Sequence, residues 1–238
     1  METHLPPQPP PDAPAPPPGP EARDSRNKMI IMLVVGPVLL LVLFGLSAPV
    51  ILKSKKAPDR TETINNIKQL NLALINFEAD YGRFPDSTTI ADVLTKTHTS
   101  LALGTSTSNE YFRQILASSN ASEKIFWAPI PATPRKPNDV LGADALKKGE
   151  CSFAYVAGLT SSDDPGTPVA MTPMIPGTYQ FDPKAFGEKA VILRIDGSAK
   201  PETIRTDNRK VSVQGGRTLF DPSMSYWNGK KPDLKWPE

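Results

Sequence analysis

Few residues in this chain have the chemistry that catalysis requires. Its 238 residues include two histidines, His4 and His98, and one cysteine, Cys151. Nucleophilic catalysis needs a nucleophile beside a positioned base. His98 lies in a Thr-rich loop, and Cys151 opens a predicted strand, where small buried cysteines are common. The chain also contains no Walker A, G-x-S-x-G, H-E-x-x-H or G-x-G-x-x-G motif. We therefore predict that it is not an enzyme and uses no cofactor.

Two further segments contain residue types suited to binding. Asp163 and Asp164 are adjacent carboxylates in a loop, and calcium takes several oxygen ligands from such loops. Two aspartates before Pro-Gly are equally typical of an ordinary turn. Tyr226, Trp227 and Trp236 belong to an aromatic and basic segment that could contact a glycan or a protein partner, or fold back onto its own domain. For the aspartates, the sequence leaves open a calcium site or an ordinary turn. For the aromatic segment, it leaves open a binding surface or packing against its own domain.

Composition excludes two other classes of protein. Lys and Arg number 27 against 25 Asp and Glu, a net charge of +2, which lacks the basic footprint of a nucleic-acid-binding protein. A single cysteine rules out an internal disulfide framework and a multi-cysteine metal site.

The N-terminal fifth of the chain predicts a tail and a membrane anchor. Ten of the first 20 residues are proline, so residues 1–28 are predicted to form a disordered Pro-rich tail. Residues 29–52 are 24 consecutive uncharged residues. At about 1.5 Å per residue they make about 36 Å of helix, enough to cross a hydrocarbon core of about 30 Å. A cleaved signal peptide is the alternative, but this run is longer than the usual apolar region and follows a long tail. We predict a retained transmembrane helix with the lipid bilayer as its partner.

Residues 53–238 are predicted to form one α+β domain. The sequence Pro58-Asp59 indicates a helix restart, and the apolar residues that follow recur at spacings of three and four, which places them on one helix face. These residues are Ile67, Leu70, Leu74, Phe77 and Tyr81. Such a stripe either packs against the protein's own sheet or forms a seam with a partner helix. The helix is predicted to end at Tyr81-Gly82.

Shorter elements follow in the second half of the sequence. Helical patterns cover residues 89–94 and 109–117, and strand patterns cover residues 151–157, 168–173 and 190–195, with a fourth at 210–214. The second strand is bounded by prolines, which predicts a place at the sheet edge. The fold class is therefore a transmembrane helix leading into an amphipathic helix packed on a small antiparallel sheet.

This order of elements resembles that of type IV pilin-like subunits. The segment NNIKQLNLAL at residues 65–74, followed by YGRFP at residues 81–85, is similar to a motif of type II secretion pseudopilins and related prepilin-type proteins. The turn at residues 196–198, sequence DGS, resembles one near the end of many of them. Basic residues flank the span almost equally, three against four, so charge does not orient it. The resemblance implies a cytoplasmic N-terminus and a periplasmic domain on a single-pass inner-membrane protein.

The chain departs from that family at its processing site. Alignment places Asn27 at the cleavage glycine, Lys28 at the methylated aromatic and Met32 at the membrane glutamate. We therefore expect an uncleaved anchor. The function implied is a structural or assembly component of a type II secretion or pilus-related system, with other pilin-like subunits as partners. The alternative is a membrane-tethered binding module for a glycan, peptide or envelope polymer.

Overall fold

The computed structural model describes residues 20–143 and 145–238, with side chains in the first helix described at residues 28, 33–39 and from 56 onward. The chain divides into two compact units, Met1–Ile51 and Leu52–Glu238. The first unit is helical from Pro20, which lies inside the segment predicted as a tail. Residues 1–19 of that predicted tail lie outside the described residues.

Three α-helices are described: α1 Pro20–Tyr81, α2 Ile90–Thr97 and α3 Ser108–Ser118. The predicted restart at Pro58 is wrong, because α1 continues through it. A proline inside a helix removes one backbone hydrogen bond, and that loss does not end this helix. Among the described side chains, no helical stretch is long and apolar enough to cross a membrane, and most of the predicted span at residues 29–52 lies outside them.

The predicted end of the amphipathic helix is confirmed. Helix α1 ends at Tyr81, and Gly82 follows with φ +79°, where its N–H donates to the Glu78 carbonyl at 2.7 Å. This left-handed conformation favours glycine and satisfies a carbonyl at the helix end. Helix α3 begins with a capping box in which the Thr107 hydroxyl accepts from the Glu110 N–H while the Glu110 carboxylate accepts from the Thr107 N–H.

The sheet has five strands, β1 Ala154–Ala157, β2 Pro168–Thr172, β3 Lys189–Arg194, β4 Ala199–Thr203 and β5 Asp233–Lys235. All pairs are antiparallel, and the order is β4-β3-β2-β1-β5. The prediction of an α+β fold with an antiparallel sheet is thereby confirmed.

Two strand predictions are wrong. Strand β2 lies inside the sheet because Pro168 is its first residue and Pro173 follows its last, so the N–H groups between them remain available to the neighbouring strands. The segment at residues 210–214 makes only isolated bridges, since Gly215 and Gly216 turn the chain away with φ +76° and +73°.

The sheet is buried on both faces. Alternate residues of the central strands, including Tyr155, Ala170 and Leu193, join the α1 stripe in one hydrophobic cluster. The intervening residues, including Val156 and Ile192, form a second cluster. Loop residues complete the second cluster: Phe181, Ile204, Val211, Leu219, Phe220 and Trp227. The inner strands are therefore apolar at nearly every position, as in sheets that are covered on both sides.

Candidate interaction surface

The helix stripe found in the sequence lies in the domain core. Ile67, Leu70 and Leu74 have no exposed surface, and Phe77 is 3% exposed. Tyr81 is partly buried, and its ring stacks on Phe77 at 4.4 Å between centroids. All five residues pack with the sheet of their own domain, so this face of α1 is not available to a second subunit.

The solvent face of α1 carries apolar side chains that the stripe does not account for. Leu72 is 63% exposed and Ile75 is 39% exposed, and they lie between the exposed residues Lys68 and Ala79. The spacings of four, three and four place these residues on one line along the helix. Large exposed apolar residues grouped on one face often mark a contact surface.

An open groove runs beside this line, between α1 and the segment after α3. Its volume is about 420 Å³. Its lining residues are Gln69, Leu72, Ala73 and Asn76 from α1, and Ser119, Asn120, Ala121, Ser122 and Ile125 from the facing segment. We refer to this feature, together with Ile75, as the α1 groove. It combines apolar carbons with amide and hydroxyl groups, the composition expected of a contact between protein surfaces.

The aromatic C-terminal segment is engaged within the domain. The Trp227 ring is 5% exposed, and its Nε1 donates to the Leu219 carbonyl at 2.8 Å. The Tyr226 hydroxyl donates to the same carbonyl at 3.0 Å. Trp236, in the loop after β5, donates from Nε1 to the Thr178 carbonyl at 3.1 Å. All three rings pack with the second hydrophobic cluster, so these side chains contribute to the fold of the domain.

Neither Cys151 nor His98 lies in a setting suited to catalysis. Cys151 is fully buried, and burial raises the pKa of its thiol to about 12, which keeps it protonated. A protonated thiol is a poor nucleophile. His98 is exposed at the end of α2, where its φ of 49° and its N–H bond to the Leu94 carbonyl terminate the helix.

The acidic loop uses its carboxylates to hold turns. Asp163 accepts from the Thr160 N–H and hydroxyl at 2.7 and 3.0 Å. Asp164 accepts from the Gly166 N–H at 2.8 Å. Within the described residues, no group of three or more His, Cys, Asp or Glu is arranged to hold a metal ion. These bonds are those of an ordinary turn, one of the two alternatives for this segment.

Arg113 and Glu123 are two of the buried charged residues that were not singled out from the sequence. Arg113 donates to the carbonyls of Ala102, Ala145 and Leu146, which fastens the loop before β1 to α3. Glu123 is 1% exposed and accepts from the Leu146 N–H at 2.6 Å. Burial raises the pKa of this carboxyl, and the negative charge of Glu150 raises it further. Both side chains hold the conformation of nearby loops, and Glu123 also lines a small cavity of about 140 Å³.

Sequence reasoning also missed the α1 groove. Leu72 and Ile75 fall outside the periodic stripe, and the facing segment comes from a part of the chain almost 50 residues later. The only available signal was the surplus of apolar residues on a helix whose buried face was already complete.

Comparison of the chain with protein-family models, with curated proteins and with solved structures found no match.

Proposed function

We propose that this chain is a membrane-anchored, pseudopilin-like structural component of a type II secretion or pilus-related envelope assembly. The observation that carries the proposal is α1 itself. A single helix extends from Pro20 to Tyr81, and one face of its last third forms the core of an α+β domain. In this proposal, residues 29–52 of the same helix cross the inner membrane. The N-terminus is then cytoplasmic, and the domain is periplasmic.

The proposed contact with neighbouring pilin-like subunits is the α1 groove. The sheet offers few alternatives, since both of its faces are buried. Its β4 edge carries Lys200, Pro201 and Glu202, and charged residues and proline oppose pairing with another strand. Its β5 edge is three residues long. The exposed apolar residues of α1 are therefore the best-suited surface for assembly.

The alternative function, a tethered binding module, depended on residues 226–236. The aromatic side chains of that segment make their contacts inside the domain, as described above. Assembly is therefore the function we propose.

Topology is the first test. A cysteine at exposed Ser162 is expected to react with a membrane-impermeant maleimide in intact spheroplasts. Buried Cys151 serves as the internal control, because it is expected to react only after denaturation. Labelling of Ser162→Cys only after lysis would place the domain in the cytoplasm and exclude the proposal.

The assembly surface is tested by photocrosslinking in the native membrane. A photoreactive amino acid at Leu72 is expected to give an adduct with a pilin-like subunit. The same residue at Leu94, which is exposed on α2, is the matched control. Equal adducts at both positions, or adducts at Leu72 with unrelated proteins alone, would refute a role of the α1 groove in assembly.

A further inference from the structure

Glu123 has a buried carboxylate with one unpartnered oxygen. This residue begins a 3₁₀ helix, Glu123–Phe126, and is 1% exposed. Its Oε1 accepts the Leu146 N–H at 2.6 Å, whereas Oε2 is buried and has no hydrogen-bond partner among the described residues. The Asp139 N–H lies close enough to lower the pKa of the carboxyl but does not form a hydrogen bond to Oε2. A buried oxygen that loses its hydration without a partner indicates a position where another group binds.

The surroundings hold this carboxylate in place. Phe126, at the end of the 3₁₀ helix, is fully buried. On the other side, the Leu146 carbonyl accepts from Arg113 Nη2 at 3.0 Å and from Asn109 Nδ2 at 2.9 Å. Because the helix and the chain at Leu146 are both fixed, Glu123 cannot turn Oε2 toward a donor elsewhere while it keeps the bond to Oε1.

Glu123 lines the cavity of about 140 Å³ together with Asn138 and Glu150. Asn138 Oδ1 accepts the Val140 N–H at 2.9 Å, and Glu150 Oε2 accepts the Lys147 N–H at 2.8 Å. An amide oxygen has two lone-pair sites and a carboxylate has about four, so both side chains keep capacity for a further contact. A water molecule occupies about 30 Å³ in the liquid, so the cavity has room for a metal ion and some water.

The charges around the cavity favour a cation. Among its described lining residues, Glu123 and Glu150 are acidic and Lys147 is basic, which leaves a net negative charge. Asp139 is already paired with Lys124, so the two glutamates are the carboxylates with capacity left. Burial raises the pKa of the Glu123 carboxyl, and the negative charge of Glu150 adds to that rise. Water can donate hydrogen bonds to both glutamates, but a cation also offsets the repulsion between them.

The donor atoms determine the kind of cation. Carboxylate and amide oxygens are hard ligands, and no histidine or cysteine is found among the described residues that line the cavity. Calcium accepts six to eight oxygen ligands in irregular geometry, whereas magnesium requires a near-ideal octahedron. Side chains from a loop and a short helix, with water beside them, therefore suit calcium better than magnesium.

We propose that this cavity binds a hard divalent cation, Ca²⁺ in preference to Mg²⁺, through Glu123 Oε2 and the side-chain oxygens of Glu150 and Asn138, with water completing the coordination. Two carboxylates and one amide are a small ligand set, so the Kd is expected at about 10⁻⁴–10⁻³ M. A bound ion ties the loop at residues 138–150 to Glu123, whose neighbour Ser122 lines the α1 groove. Neither the membrane anchor nor the assembly role is needed for this binding.

The test is isothermal titration calorimetry of the full chain in detergent, at about 0.15 M KCl to screen exposed carboxylates. CaCl₂ is expected to bind at one site and MgCl₂ more weakly. Glu123→Gln keeps the size of the side chain and an oxygen for the Leu146 N–H, and it is expected to weaken calcium binding at least about tenfold. Glu188→Gln is the matched control, because Glu188 is exposed and lines a different cavity, and its calcium affinity is expected to be unchanged.

Lys147→Gln is expected to change the affinity in the opposite direction. Removing the positive charge of this lining residue strengthens calcium binding about two- to fivefold. A general disturbance of the loop would weaken binding in every variant, so this change of sign separates a charge effect from a structural one. Weaker binding in Lys147→Gln would overturn the electrostatic basis of the site.

Urea unfolding gives a second readout. In about 10 mM CaCl₂, the ratio of folded to unfolded native chain is expected to rise at least about tenfold. Glu150→Gln, at a partly buried position, is expected to reduce this gain even if Glu123→Gln fails to fold. An absence of calcium heat up to about 10 mM would overturn the proposal and leave water as the partner of Oε2. Equal calcium affinity in the native chain and in both glutamate variants would also overturn it.

Discussion

Leu74 and Leu72 are the same residue type on the same helix, two positions apart, and they face opposite environments. Leu74 has no exposed surface and packs in the core between α1 and the sheet, whereas Leu72 is 63% exposed. Truncation to alanine at each position therefore isolates the effect of burial. Helix propensity changes equally in the two variants, because both replace leucine by alanine within one helix.

The expected magnitudes differ clearly. Leu74→Ala removes buried methyl groups and leaves a cavity in a closely packed region, which costs about 3 kcal/mol of unfolding free energy. Leu72→Ala removes groups that are largely in water, so its effect is expected within about 0.5 kcal/mol. For a unit of this size, about 3 kcal/mol lowers Tm by about 6–12 °C.

Urea and thermal unfolding of the full chain, followed by tryptophan fluorescence, measure both values. The three tryptophans, at positions 127, 227 and 236, all lie in the unit Leu52–Glu238, so the signal reports the unfolding of this unit. The slope of free energy against urea is expected to be unchanged, since the same surface is exposed on unfolding.

Equal destabilisation by the two variants would refute the assigned orientation of α1. A loss below about 1 kcal/mol for Leu74→Ala would show that the helix does not pack on the sheet as described. If the α1 groove binds a neighbouring subunit, Leu72→Ala is expected to weaken assembly in the membrane. The same variant is expected to leave the urea midpoint and the Tm of the full chain unchanged.

Three further predictions concern single contacts. Thr107→Ala is expected to cost about 1 kcal/mol in urea unfolding by removing the cap of α3, while Thr107→Ser retains the stability. Cys151 is expected to resist maleimide at pH 8 in the folded chain and to react at the rate of a free thiol in urea, because burial raises its pKa to about 12. The fully buried Tyr155 donates to the Pro85 carbonyl at 2.9 Å, and burial raises its pKa well above 10. As the pH rises, the unfolded chain therefore loses the Tyr155 proton before the folded chain does. The free energy of unfolding is unaffected by this group below about pH 10 and falls above it. Tyr155→Phe is expected to reduce that fall and to cost about 1 kcal/mol at pH 7 through loss of the hydrogen bond.

Local patterns in the sequence predicted the end of α1, helices α2 and α3 and strands β1 to β3, whereas β4 and β5 were not predicted. The end of α1 was identifiable because Gly82 stands where a left-handed residue is needed. The stripe from Ile67 to Phe77 was identifiable because each of its members repeats at helical spacing. Both signals depend on residues within one or two turns of each other, which is the range over which the chain's own geometry dictates structure.

Strand order and the α1 groove depended on contacts that the sequence does not display. Strand β2 was predicted at an edge from its prolines, yet those prolines lie at its ends and leave the interior pairing intact. Strand β5 has only three residues and acquires its conformation by pairing with β1. The groove brings Leu72 beside a segment after α3, a juxtaposition that follows only from the tertiary fold.

The pairing of β1 with β5 has a consequence for how the protein is made. The first strand of the sheet in chain order is flanked on one side by the last, about 76 residues later. Until β5 has been synthesised and delivered to the compartment where the domain folds, the apolar strand β1 has a free edge. Such an edge can pair with another chain. Biogenesis is therefore the stage at which this domain is most exposed to aggregation, and a chaperone that shields β1 would act on the nascent protein.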